Sequence, residues 1–287
     1  MTAPGIAEQQ PRSAADRRSA ANRPSVAAAI LRFVSRPRFW RPLISLAIVL
    51  ISWELLGRYV LTNKLFFVPL SDVIAATVDL ARKGELQHHF AASFTAIFYG
   101  MLLASVVGIT FGILIGASTK VADYTEVYLN ALYATPLVAI APLLILWLGI
   151  GIGSKIAVVF LISVFPIVIS TASGVRNVDA HYLEVARAFG GRQHQIVRKV
   201  MIPAALPFVL TGIRLAIGRA IVGVVVGELF GANAGLGYLI FVSGQTFDVP
   251  TLFSAVLCLA AAGVFLTWLV QKLERGLVRW KPAVAES

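Results

Sequence analysis

The sequence predicts an all-α membrane protein of six transmembrane helices with both termini in the cytoplasm. Three observations carry the prediction. The 287 residues are 58% hydrophobic and only 14% charged, whereas a soluble domain runs about 45–50% apolar and about 25% charged. The apolar residues fall in six blocks long enough to cross a bilayer. Apart from Arg214 and Arg219 within the fifth block, eighteen Lys and Arg fall on one side and five on the other. The positive-inside rule makes the richer side cytoplasmic. The same asymmetry accounts for the net charge of +11, which in a soluble protein would suggest nucleic acid. No nucleic-acid partner is expected here; the expected medium is membrane lipid.

Residues 1–40 are rich in Ala, Arg, Pro and Ser, too polar for a signal peptide. They read as a disordered basic cytoplasmic tail, ahead of a six-span domain over 41–281 and a short tail over 282–287. The first span covers about Pro42–Val60 and carries Glu54 near its outer end, where partial solvation is expected. In the external segment 62–90, Pro69-Leu70-Ser71-Asp72 offers a helix start with Ser71 or Asp72 as cap. The second span, about Ala91–Ala117, places Gly108, Gly112 and Gly116 four residues apart on one stripe. Small residues at that spacing let helix backbones approach closely, so this stripe is assigned to helix packing.

The third span, about Thr125–Leu148, contains Pro136 and Pro142, whose kinks either line a pathway or fit the bundle. Gly149 to Lys155 has the look of a phosphate loop but lacks the G-x-x-x-x-G-K-[ST] spacing. It reads as an external turn. The fourth span, about Lys155–Gly174, has Pro166 near its middle. The fifth, about Leu206–Gly231, carries Arg214, Arg219 and Glu228. Ionisable groups in a span face protein or water. They are candidates for a pathway that accepts an anion, with pairing to a carboxylate or carbonyls as the equal structural alternative. Gly231 to Val242 breaks the apolar pattern and is too short to span, so a loop and a re-entrant or interfacial segment are expected. The last span covers about Pro250–Val270, followed by Lys272, Arg275, Arg279 and Lys281.

Between the fourth and fifth spans lies a polar, basic stretch over 175–204. Leu183, Ala186 and Gly190 share a helical face. Gly190-Gly191 breaks that helix, and a second short helical pattern is expected to stop at Pro203. The charge asymmetry puts this stretch in the cytoplasm. The single Cys258 excludes a disulfide framework, and His88, His89, His181 and His194 show no ligand spacing, so no metal site is expected.

The residues Glu184-x-Ala186-x-x-x-Gly190, with Pro203 further on, resemble the EAA loop of bacterial ABC-importer permeases, whose pattern reads E-A-A-x-x-x-G and then I-x-L-P. Val185, Val200 and Ile202 depart conservatively from it. The resemblance covers about residues 40–281 and extends to the GELFGANAGLGYLI segment. It is nearest the nitrate, sulfonate and taurine branch, which also handles thiamine-precursor pyrimidines. It implies the type I ABC importer permease fold in a bacterial inner membrane. It also implies that two copies of the chain form the translocation pathway for a small solute. An ABC ATPase dimer would dock at Glu184, Ala186, Gly190, Gly191 and Pro203, and an extracytoplasmic solute-binding protein would deliver the solute. The chain itself would bind no cofactor and catalyse nothing, ATP being bound by the partner subunit. An ion-coupled secondary transporter is the alternative. It calls for internal repeats and midplane carboxylates, and the sequence offers no repeat and few membrane acids. A membrane enzyme would need a catalytic cluster, and no His, Asp or Ser constellation is present.

Overall fold

The computed structural model describes residues 37–61 and 63–278. The basic tail expected over 1–40 falls almost wholly outside them, as do Arg279, Lys281 and the tail 282–287. The described chain divides into two compact units, one ending at Val60 and one starting at Leu61. The first holds α1 (Pro37–Leu55), which ends in a π turn over Leu56–Val60. Glu54 there pairs with Arg58 at 2.7 Å, one helical turn away.

The second unit is built of helices and the turns that join them, with no strand among its described residues. Its helices are α2 (Leu70–Lys83), α3 (Glu85–Ala117), α4 (Thr119–Ala134), α5 (Ala141–Leu148), α6 (Ile152–Arg176), α7 (Ala180–Ala188), α8 (Gln193–Ile196), α9 (Ile202–Gly231), α10 (Leu236–Gln245) and α11 (Val249–Leu277). Five helices, including α1, are long and apolar enough to cross a membrane. The bent pair of α4 and Leu137–Leu148, the latter a 3₁₀ turn over Leu137–Ile140 running into α5, makes a sixth span when taken together.

That pair corrects the picture of a kinked third span: its two halves meet at 80°. The cause is Pro136. The residue before a proline is pushed out of the helical region, and Thr135 sits at φ −69°, ψ 138°. Its hydroxyl donates to the Ala131 carbonyl, and its N–H reaches both that carbonyl and the Leu132 carbonyl, the acceptor that Pro136 leaves without a donor. Pro142 makes no kink, because it lies in the first turn of α5, where a missing N–H costs nothing.

A second correction concerns Pro203. The helix does not stop there. A π turn over Val197–Met201 joins α8 to α9, and the joined helix runs for 39 residues from Gln193 to Gly231. The wider turn receives the proline, whose ring in a regular α-helix would strike the carbonyl four residues back. A third concerns α2, whose N-cap is Pro69 with no side-chain bond. Ser71 and Asp72 lie inside the helix instead.

The core of the unit is α6, held between α3 and α9. Gly108, Gly112 and Gly116 of α3 meet Ile167, Thr171 and Val175 of α6. A Cβ on Gly112 would lie 2.5 Å from the Thr171 Cβ and 2.9 Å from the Val168 carbonyl oxygen. Gly100 and Ala104 continue the stripe outward, both buried. A second stripe lies on the other flank: Gly212, Gly223 and Gly227 of α9 approach the α6 backbone at Ile167, Val159 and Lys155. Two small-residue faces thus let three helices touch backbone to backbone, the packing that lipid-embedded helices use in place of hydrophobic drive. On the outer side, α2 buries Val73 and Leu80 and is tied to α11 by the Ser254 hydroxyl, which donates to the Val73 carbonyl at 3.0 Å.

Candidate functional site

The cytoplasmic stretch folds as helix, turn and helix. Asp179 starts α7 by accepting from the His181 N–H at 2.9 Å, which satisfies a first-turn donor. Gly190 ends it at φ +73°. The Gly190 N–H donates to the Arg187 carbonyl at 2.8 Å and the Gly191 N–H to the Ala186 carbonyl at 3.0 Å. This pair of bonds is the Schellman motif, which requires a left-handed residue just past the helix end. The two glycines have separate reasons. Gly190 supplies the backbone angle and has open space around it. Gly191 supplies room, since a Cβ there would lie 2.7 Å from the Ala186 carbonyl oxygen.

One face of α7 is anchored. Leu183 and Ala186 pack on a cluster of Val175, Val178, Ile196, Met201 and Ala205, which belongs to the ends of α6, α8 and α9. The other face is open. Tyr182, Val185 and Phe189 are 61%, 41% and 88% exposed, and their spacing puts them on one stripe. Glu184 is exposed beside them. Pro203 is exposed in the first turn of α9. Glu184, Ala186, Gly190 and Gly191 thus sit on one short element, with Pro203 about three turns further along.

The three ionisable residues of the fifth span do not come together. Arg214 and Glu228 are separated by about 21 Å of helix at 1.5 Å per residue. Arg214 pairs with Glu274 of α11, so the structural alternative holds for it. Arg219 is exposed. Glu228 faces no open surface: it is 1% exposed and sits at the centre of a polar cluster at the outer ends of α3, α6 and α9.

That cluster organises the segment after α9. The Ser93 hydroxyl of α3 lies 2.8 and 2.9 Å from the two carboxylate oxygens of Glu228 and donates to them. The Lys155 ammonium of α6 is 3.7 Å from Oε1 and donates to the Ala234 carbonyl at 2.6 Å. Lys155 is 5% exposed, so it is not the solvent-facing residue of an external turn that its position suggested. Three successive backbone donors then meet three side chains. The Gly235 N–H donates to His89 Nδ1 at 3.1 Å, Leu236 to Ser93 Oγ at 2.7 Å, and Gly237 to Glu228 Oε2 at 2.8 Å. These are the donors that a helix cannot satisfy internally, and the carboxylate lies where the dipole of α10 favours negative charge. Gly235, at φ +134°, has no room for a side chain, because a Cβ would overlap the Glu228 carboxylate. Sequence reasoning found Glu228 but not Lys155, Ser93, His89, Gly235 or Gly237. The one available signal was a lysine abutting an apolar run. Among the described residues no cluster of His, Cys, Asp or Glu has the arrangement of a metal site.

Residues 108–279 match the family described as binding-protein-dependent transport system inner membrane component. The chain belongs to this family. It is therefore a multi-pass inner membrane protein and a permease subunit, in a class of system where ATP hydrolysis belongs to a separate subunit. The permease is 35% identical over 82% of its length, and 85% of the relative's, to the putative aliphatic sulfonates transport permease protein SsuC of Bacillus subtilis. It is 31% identical to the formylaminopyrimidine transport permease protein ThiX of Halalkalibacterium halodurans, covering 84% of this chain and 95% of that one. To the taurine transport system permease protein TauC of Escherichia coli it is 29% identical, over 82% and 88% of the two chains. Its fold resembles a chain of the methionine ABC transporter MetNI solved in inward-facing conformations, with TM-score 0.58 at 21% identity, over 69% of this chain and 97% of that one. The fold of the permease is that of a type I ABC importer.

Proposed function

We propose that two copies of this permease form the pathway of an ATP-driven importer for a small anion, of the sulfonate or taurine class. An ABC ATPase dimer binds ATP and docks on α7, and an extracytoplasmic binding protein delivers the solute. The observation that carries the ATPase reading is the stripe Tyr182–Val185–Phe189, bare on a helix that is capped at both ends and anchored by the face next to it. A rigid helix with an apolar outer face enters a groove with little loss of conformational freedom. Glu184 lies next to it for a basic group of the ATPase, and Gly190-Gly191 keep the turn compact. Nitrate belongs to the same class of small anions.

Support for an anion comes from two sides. Arg219 keeps an exposed guanidinium within a spanning helix, where a cation is costly unless it faces protein or water. Two of the relatives are named for sulfonate and taurine transport. The formylaminopyrimidine relative supports a neutral heterocycle as the competing cargo. The deciding experiment is a binding assay on the cognate binding protein with taurine, alkanesulfonates, nitrate and aminopyrimidines. Retention of a sulfonate or taurine is the expected outcome. Retention of the pyrimidine alone would replace the anion reading and leave the ATPase reading intact.

A further inference from the structure

Glu228 is a buried charge that the transport scheme above leaves without a task. Its surroundings supply one. The chain leaves α9 through Gly231-Ala232-Asn233-Ala234-Gly235, a glycine-bounded link that would act as a hinge if left to itself. The hinge is closed from outside by the side chains of Glu228, Ser93, His89 and Lys155. Every backbone donor from Gly235 to Gly237 is held by a residue of α3 or α9, so α10 cannot swing without breaking these three hydrogen bonds, among them the buried bond to the Glu228 carboxylate. Such bonds are among the strongest available to a protein, and separating the pair would strand a charge away from water. The same α9 is continuous, through the π turn, with Gln193 beside the Gly190-Gly191 turn. A helix of that length measures about 58 Å, and it joins the ATPase-facing surface to the outer cluster.

We propose that Glu228 is the positioning residue of an outer clasp that fuses α10 to α9, so that a displacement imposed by the ATPase at α7 is carried to α10 by one rigid body. The clasp stays closed throughout the transport cycle, and α10 moves with α9 rather than against it. This rests on the ATPase reading given above.

The test uses the complete complex of permease, ATPase and binding protein in lipid. Hydrogen exchange over residues 232–242 is followed without nucleotide and with ATP, in the wild type, E228Q and the double variant E228Q/K155M. The wild type is expected to protect this segment equally in both nucleotide states. E228Q is expected to lose protection there by at least about tenfold, with the α3–α6 interface unchanged. The ratio of binding-protein-stimulated to basal ATP hydrolysis is expected to fall at least about fivefold in E228Q, whereas a merely structural defect would lower both rates together. Adding K155M removes the stranded charge. It is expected to restore the melting temperature and not that ratio; recovery of both would overturn the proposal. So would loss of wild-type protection on ATP binding, or an E228Q complex with unchanged protection. A wild-type permease that does not bind the ATPase at all would instead overturn the reading beneath it, and that result appears before any Glu228 variant is measured.

Discussion

At its cytoplasmic end the helix Gln193–Gly231 follows a turn that faces outward, and at its outer end it runs into a turn that is sealed. Each turn contains two close glycines, Gly190 and Gly191 or Gly235 and Gly237, and each joins a short helix to the long one. They differ in what satisfies the backbone. In the cytoplasmic turn the glycine N–H groups bond to carbonyls of α7 itself. The turn therefore keeps its shape unaided, and its side chains remain available to another protein. In the outer turn the N–H groups bond to side chains of α3 and α9, so its shape exists only while those helices are in place. A self-sufficient turn suits a surface that must present a fixed shape to a partner. A turn completed by its neighbours suits a point where several helices have to be held together.

The largest effect expected from this contrast is at Gly235. Gly235→Val drives a β-branched side chain into the Glu228 carboxylate at a left-handed backbone angle. It should cost about 4 kcal/mol or more, read as failure of the protein to accumulate in the membrane. Next is Glu228→Ala, which leaves Lys155 buried beside no carboxylate; about 3–5 kcal/mol is expected. Thermal unfolding in detergent measures it, and adding Lys155→Met should recover part of the loss. No recovery would mean that the two charges do not sense each other across the 3.7 Å between them.

At the cytoplasmic turn the expected effects are smaller in stability and larger in partner binding. Gly190→Asp meets no neighbouring atom and bears only the strain of a left-handed angle, about 1 kcal/mol. The folded permease should persist, while co-purification with the ATPase falls by at least about tenfold. Equal ATPase binding and transport in this variant would remove the coupling role from the turn. The smallest stability change is expected for Arg219→Leu, within about 0.5 kcal/mol. Uptake of an anionic solute should nevertheless drop, and unchanged uptake would take Arg219 off the pathway.

Much of the fold was legible because its signals are local. A span is a run of apolar residues, and the Gly108–Gly112–Gly116 stripe follows the helical period directly. The second stripe is not legible in the sequence because Ala216 and Ala220 stand between Gly212 and the pair Gly223 and Gly227, and only contact with α6 makes them one surface. The two prolines of the third span look alike in sequence. One breaks the helix and the other starts one, and the difference lies in where each falls relative to a helix end. Pro203 misled for a related reason: a π turn, which has no plain sequence signature, lets the helix pass through it.

The outer cluster was the least legible part. Lys155 stands at the edge of an apolar block after three glycines, a position that in sequence means an exposed turn. Glu228 lies 73 positions further on, and Ser93 lies 135 positions before Glu228. No local pattern links residues so far apart.

The sequence by itself determined the membrane class of this permease, the order of its apolar blocks and their orientation. Those follow from composition, period and charge, which are properties of neighbours in the chain. The tertiary structure decided which charges are paired and which are open: Arg214 with Glu274, Lys155 with Glu228, Arg219 exposed. In a medium without water, a charge is stable only where another helix brings its partner or where it faces water. That partner is chosen by packing, because the glycine faces of α3 and α9 set α6 at the one separation where Lys155, Ser93 and Glu228 converge.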